Sequence, residues 1–262
     1  MDGGLAAPEF IKLLRQVGED SGIRGVIVRV DSPGGESFAS DEIWREMNLL
    51  SKRKPLVISM SDEAASGGYY ISMTGDPIIA YPATYTGSIG VVYGKANLRG
   101  LYEKLGINKD TLMRGRFAAI DSDYEPLDEA ARRKLREGVD DNYRVFVEKV
   151  AAARKRKFEE IEPLAQGRVW LGSQAKRIGL VDELGGFDRA LELLRQKAGI
   201  PHGEQVALEV YPPRRSLLER LLSRQVSAAL PEPLGAFLQR WPAEALRRGG
   251  FFRLVPFRLD VR

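Results

Sequence analysis

Hydrophobic positions recur along this chain in two rhythms. Phe10, Leu13, Leu14 and Val17 fall at helical spacing and predict an amphipathic helix over 7–20. The β-branched run GVIVRV (25–30) predicts a buried strand that ends at the turn DSPGG (31–35). A helix over about 39–50 and a second strand in PLVISM (55–60) follow. AASGGYY (64–70) opens a helix, and short strands are expected around PIIAY and GSIGVV. NLRGLYEKLG reads as helical and KDTLMRG as strand-like, ahead of a long charged helix over about 127–155. LGSQAKRIG and FDRALELLRQKAG are further helices, the latter stopped by Gly199 before Pro201. Strands separated by helices of this length predict βαβ crossovers, hence an α/β fold with a mostly parallel sheet flanked by helices. YPPRR (211–215) ends a preceding strand and divides a domain over 1–211 from a basic tail over 212–262.

Composition narrows the function classes. The 262 residues, 44% hydrophobic and 29% charged, suffice for a substantial core of the ordinary globular type. No apolar run approaches 18 residues, and MDGGLAAPEF lacks the charged and apolar regions of a signal peptide. The absence of cysteine excludes disulfides, thiolate nucleophiles and cysteine–zinc sites, without fixing the compartment. The net charge of +4 is uneven: from Pro212 onward ten arginines face four acids, leaving 30 basic and 32 acidic residues before it. The basic balance therefore belongs to the tail, and the core offers no basic, aromatic-interleaved face for nucleic acid.

The candidate chemistry centres on Ser66. A serine at a helix start ordinarily caps the helix by accepting a free backbone N–H. The alternative is a nucleophile: Gly67 and Gly68 leave the neighbouring backbone bare, and a helix start offers N–H groups to a developing oxyanion. In DSPGG, Pro33 fixes one dihedral while Gly34 and Gly35 permit positive φ, so successive N–H groups can converge, although a plain strand-to-helix turn uses the same residues. Adjacent parallel strands would bring both loops to one sheet end, where α/β folds place their sites.

RVDSPGG, AASGGYYIS, TGSIGVV and GRVWLGSQAKRIGLVDELGGFDRAL, in this order, resemble the signal peptide peptidase A (protease IV) family over roughly 3–211. The resemblance implies a Clp-protease/crotonase-like fold and a membrane-associated, oligomeric serine peptidase that degrades released signal peptides by a Ser–Lys dyad. By that resemblance Ser66 matches the nucleophile, Gly35 and Gly67 the oxyanion hole, and Ser88 the serine that hydrogen-bonds the lysine. Gly34, Gly68 and Tyr69 are expected at the substrate-binding surface. The family's position is the inner membrane, active side outward, through an anchor outside these residues.

The base is the difficulty. The single histidine, His202 in GIPHG, lies far along the chain from both motifs and is expected in solvent. A lysine can serve when burial lowers its pKa, but short family members carry it about 52 residues after the serine, where this chain has Ala118. No lysine stands between Asp110 and Arg133, and Arg116 cannot accept a proton. Three explanations stay open. The chain resembles the serine-bearing C-terminal half of the long form, which takes its lysine from another domain, and the lack of a first strand suits such a fragment. An inactivating replacement at Ala118 is the second. The third is lost catalysis, or an unplaced lysine such as Lys95.

Two rivals to the peptidase reading are an inactive, oligomerising peptide-binding scaffold and a crotonase-type enzyme acting on acyl-CoA thioesters. Tyr69 and Tyr70 are either pocket walls or core. DSDYEP (121–126) reads as a loop and helix start rather than a metal site. In the tail, RSLLERLLSRQVSAAL suits a membrane-surface helix or docking onto protein. No cofactor or metal is implied. The expected partners are peptide substrates, a lysine-bearing domain and, through the tail, a membrane surface.

Overall fold

The computed structural model describes residues 5–212, and the tail expectations lie outside them. Residues 5–202 belong to one compact unit, and 203–212, without helix or strand, to another. The strand expected before YPP is therefore not formed.

The first described element is helix α1 (Ala7–Glu19), started by Pro8 in its first turn, where a missing N–H costs nothing. Strand β1 (Val26–Ser32) leads to α2 (Ser37–Arg53), whose first amides at Phe38 and Ala39 donate to the Glu36 carboxylate. Strand β2 (Leu56–Ala65) feeds a short helix, α3 (Gly67–Ile71), then β3 (Ile78–Ala80) and β4 (Tyr85–Gly87). After α4 (Arg99–Lys104) comes the 25-residue α5 (Glu129–Ala153), capped by Asp128. The unit closes with α6 (Phe158–Ile161), β5 (Val169–Leu171), α7 (Gly172–Arg177), β6 (Glu183–Leu184) and α8 (Phe187–Lys197).

β2 organises the sheet. One edge pairs in parallel with β1; the other pairs first with β3, at Ile58 and Ser59, then with β4, at Glu63, Ala64 and Ala65. β6 extends β3 in parallel, and β5 extends β4 antiparallel. Where β2 changes neighbours it bulges: Val30 pairs with Met60 and Ser32 with Ala64, so Ser61, Asp62 and Glu63 stand against Asp31 alone. Leu56, Ile58 and Met60 bury into one core with α1, α2, α3 and α5, whereas Val57 packs on the opposite face with Ile79, Ala190 and Leu194. Burial on both faces explains why PLVISM is continuously hydrophobic rather than alternating.

Two strand expectations fail between β4 and α5. KDTLMRG is exposed coil, and in TGSIGVV the strand ends at Gly87. Residues 93–125 instead form an exposed arm held by its own polar contacts. Tyr93 Oη donates to Asp121 (2.5 Å), Tyr102 Oη and Lys109 Nζ to Asp123 (2.5 and 2.7 Å), and the Leu98 amide to the Asp123 carbonyl (2.6 Å). The acids of DSDYEP are thus the arm's fasteners.

Candidate active site

Ser66 occupies the sharp turn between β2 and α3, with φ 52° and ψ −115°, and is 2% exposed. It stands where a helix cap would, yet its side chain makes no cap hydrogen bond. A non-glycine residue at positive φ costs about 1–3 kcal/mol and persists only where its surroundings enforce it. Here the enforcement is visible: the Ser66 amide donates to the Gly87 carbonyl (2.9 Å), and the Tyr70 amide returns to the Ser66 carbonyl (2.8 Å). The same strained strand-to-helix turn is how a nucleophile elbow presents its hydroxyl.

Ser88 follows its strand as Ser66 follows β2. Ala65 pairs with Gly87, so the two serines are the next residues along neighbouring parallel strands, and Ser88 too has positive φ (47°). The Ser88 amide donates to the Arg168 carbonyl (2.7 Å) and the Gly167 amide to the Ile89 carbonyl (2.9 Å), tying TGSIG to the segment before β5. A Cβ on Gly90 would lie 2.9 Å from the Gly167 Cα, so this approach requires glycine.

The loops after β1 and β2 meet through glycine. A Cβ built on Gly67 would stand 2.9 Å from the Gly35 nitrogen and 2.7 Å from Ser40 Oγ. Gly67 is the first residue of α3, so its N–H has no partner within the helix. A Cβ on Gly35 would meet nothing within 4 Å, so this residue borders open space. Gly34 supplies the sharp bend, with φ 132°. The two proposed oxyanion amides are thus neighbours beside Ser66.

Two of the expected substrate-binding residues turn inward instead. Gly68 is buried, and a Cβ there would lie 2.6 Å from the Ser32 carbonyl oxygen, so its role is close packing of β1 against α3. Tyr69 is fully buried; its hydroxyl donates to the Leu180 carbonyl (2.8 Å), and burial pushes its pKa up. Tyr70, about 100° further round the helix, is the tyrosine that borders a cavity.

Among the described residues no hydrogen bond joins the Ser66 hydroxyl to a titratable side chain. Lys95 Nζ donates to the Glu125 carbonyl (2.8 Å), and Lys149 is ion-paired with Asp41. Ala118 lies exposed in a series of turns, and His202 is exposed. On the bulge, burial and the neighbouring Asp31 charge raise the Glu63 carboxyl above its ordinary range. No described group of three or more His, Asp or Glu could hold a metal ion, and no described helix is long and apolar enough to cross a membrane.

Residues 48–201 match the family model described as Peptidase family S49. The chain belongs to peptidase family S49. The family is one of peptidases, and the membership agrees with the mostly parallel sheet flanked by helices. It is 42% identical over 215 residues to "Serine protease SPPA, chloroplastic" of Arabidopsis thaliana, covering 81% of this chain and 32% of that one. It is 39% identical over 186 residues to "Protease 4" of Haemophilus influenzae, covering 71% and 30%. To "Putative signal peptide peptidase SppA" of Enterococcus faecium it is 38% identical over 189 residues, covering 72% and 55%. The chain thus spans about a third to a little over half of these relatives.

Sequence reasoning missed Ser40, which packs on Gly67, and the pairing of Asp41 with Lys149, 108 residues apart. Ser37 and Ser40, three apart in SFAS, both turn inward; that helical spacing of small residues was the available signal.

Proposed function

We propose that this chain is the serine-bearing part of a signal-peptide-peptidase-type endopeptidase, whose lysine base comes from another domain or chain. The strained, uncapped Ser66 beside the joined Gly35 and Gly67 loops carries this reading. Ser66 Oγ attacks the scissile carbonyl carbon and gives its proton to the incoming lysine amine. The Gly35 and Gly67 amides hold the oxyanion. The lysine, oriented by Ser88, protonates the departing amine, and water then hydrolyses the acyl-enzyme. The name of the Enterococcus relative supports released signal peptides as substrates. The exposed apolar side chains of the arm, among them Leu101, Leu105, Leu112 and Met113, support assembly with other subunits. Position at the inner membrane, active side outward, follows from the resemblance, with the tail as a second surface contact.

The test is acylation of Ser66 by an activated ester at alkaline pH, read by intact mass against Ser66→Ala. Labelling that rises when a lysine-bearing N-terminal domain is added supports the reading; labelling at Ser66 unchanged by that domain overturns the donated base. A catalytically silent, peptide-binding scaffold is the second reading, favoured by the lack of any bonded base at Ser66 among the described residues. Peptide binding without acylation in either mixture would support it.

A further inference from the structure

The two amides assigned to the oxyanion stand at the starts of two helices. Gly67 is the first residue of α3, and Gly35 lies two residues before Ser37, the first of α2. Their separation is therefore set by how the two helix starts lie against each other. α3 has only five residues, too few for its own backbone bonds to fix it, so side-chain ties to other elements must hold its direction. The Tyr69 hydroxyl donates to the Leu180 carbonyl. The Tyr70 hydroxyl donates to Asp41 Oδ1 on α2, at 2.5 Å.

Tyr70 is three residues beyond Gly67 and Asp41 four beyond Ser37, so their bond joins the helices about one turn behind both starts. The Tyr70 side chain is buried and packs on Phe146 of α5, with ring centroids 4.8 Å apart. Lys149, also on α5, pairs with the same Asp41 oxygen. Its ammonium sits 3.3 Å from the Trp44 ring centroid and 5.1 Å from that of Tyr70. A charged acceptor makes the hydrogen bond a strong one, and the ammonium keeps that oxygen in place. A second tie, from Trp44 Nε1 to the Met73 carbonyl (2.7 Å), joins α2 to the residues after α3, at the end remote from the amides.

We propose that Asp41 and Tyr70 are positioning residues of the Ser66 centre. Their hydrogen bond, held by Lys149, fixes α2 against α3 so that the Gly35 and Gly67 amides meet one oxyanion together. The proposal rests on the reading of Ser66 as nucleophile, and it asks neither side chain to touch the substrate. The oxyanion forms only on the way to the tetrahedral intermediate, so loosening this clamp slows acylation and leaves ester binding alone. A merely structural role predicts otherwise: the rate would fall only as far as stability falls, whichever tie is cut.

The experiment uses the full chain with a lysine-bearing N-terminal domain added, and follows acylation of Ser66 by a peptidyl nitrophenyl ester over a range of ester concentrations. Tyr70→Phe and Asp41→Ala are expected to lower the limiting rate about tenfold, part of what one oxyanion donor supplies, with the half-saturating concentration unchanged. Asp41→Asn keeps an acceptor oxygen for Tyr70 and recovers most of the rate. Trp44→Phe cuts the other tie, lowers the melting temperature and leaves the rate. Rates that fall in step with melting temperature across all four variants overturn the proposal, as does a limiting rate indifferent to Tyr70→Phe. Amide NMR of the full chain gives a reading free of catalysis. Tyr70→Phe should move the Gly35 resonance and Asp41→Ala the Gly67 resonance, each at the start of the other helix, while Trp44→Phe moves neither. Unmoved glycines overturn the clamp. Cross-helix shifts in a protein that never acylates keep the clamp and remove the nucleophile.

Discussion

Gly67 and Gly35 touch. No side chain fits between them, because a Cβ on Gly67 would reach within 2.9 Å of the Gly35 nitrogen. Their contact brings two loops from neighbouring parallel strands into one group of amides, and it depends on glycine at only one of the two positions. Gly67→Ala forces Ser40 and the Gly35 backbone aside, an overpacking that costs about 1–3 kcal/mol. It should also lower Ser66 acylation about 100-fold or more, the scale of a lost oxyanion donor. Gly35→Ala meets no atom, so its melting temperature should stay near wild type. Thermal melts and acylation rates measured together separate these outcomes, and an unaffected Gly67→Ala would overturn the arrangement.

Ser66 is held where glycine would be comfortable. With φ 52° and ψ −115°, Ser66→Gly should stabilise the chain by about 1 kcal/mol through relief of strain, while abolishing acylation. Ser66→Ala keeps the strain and should melt close to wild type. Denaturant unfolding of the three proteins reads the difference, and a Ser66→Gly protein no more stable than Ser66→Ala would show that the turn stores nothing.

Acid sensitivity should trace to Asp182. Burial works to raise this carboxyl, but the hydrogen bonds and charge of Arg154, with the Ile78 amide, prevail and hold it below its ordinary value of 3.8. A depressed carboxyl contributes stability that is fully present above 3.8 and disappears as pH falls through the folded-state value. Arg154→Met removes that contribution and leaves a half-buried carboxylate unpaired, at a cost of about 3 kcal/mol near neutral pH. The variant's deficit relative to wild type should shrink as the solution is taken below pH 3.8. Equilibrium unfolding at several pH values checks the sign.

The arm over 93–125 should open independently of the core. Asp123 gathers Tyr102, Lys109 and the Leu98 amide, and nothing between Val92 and Asp128 is buried. Asp123→Ala should speed tryptic cleavage at Arg114 and Arg116 several-fold and barely move the melting temperature. Equal loss of both would mean the arm is integral to the unit.

What was legible in the sequence, and what was not, follows from the range of the forces involved. The first half of β2 was legible because burial on both faces leaves a long apolar run, though the strand runs on to Ala65; β1 was legible from its β-branched residues although Arg29 and Asp31 are exposed, and α5 because 25 residues give the helical period room to show. GSIGVV reads equally well as a strand, yet the ladder stops at Gly87, because the Ser88 amide turns to the Arg168 carbonyl. Tyr69 and Tyr70 are identical to local reasoning; only the direction of each around a five-residue helix sends one into the core and the other to a cavity wall. The positive φ at Ser66 was hidden because serine, unlike glycine, gives no notice of it. The pairing of Lys149 with Asp41 crosses 108 residues and leaves no local pattern.

β3 and β4 take turns along one edge of β2, and the bulge that separates them lies three residues before Ser66. The backbone hydrogen bonds that keep β2 in the core are therefore the same ones that aim Ser66 at its neighbours. A one-residue slip would turn Leu56, Ile58 and Met60 outward and carry Ser66 away from Gly87 in the same movement. Geometry at the serine is thus inherited from the fold's own alignment, and mutational drift cannot misplace it without first unmaking the sheet.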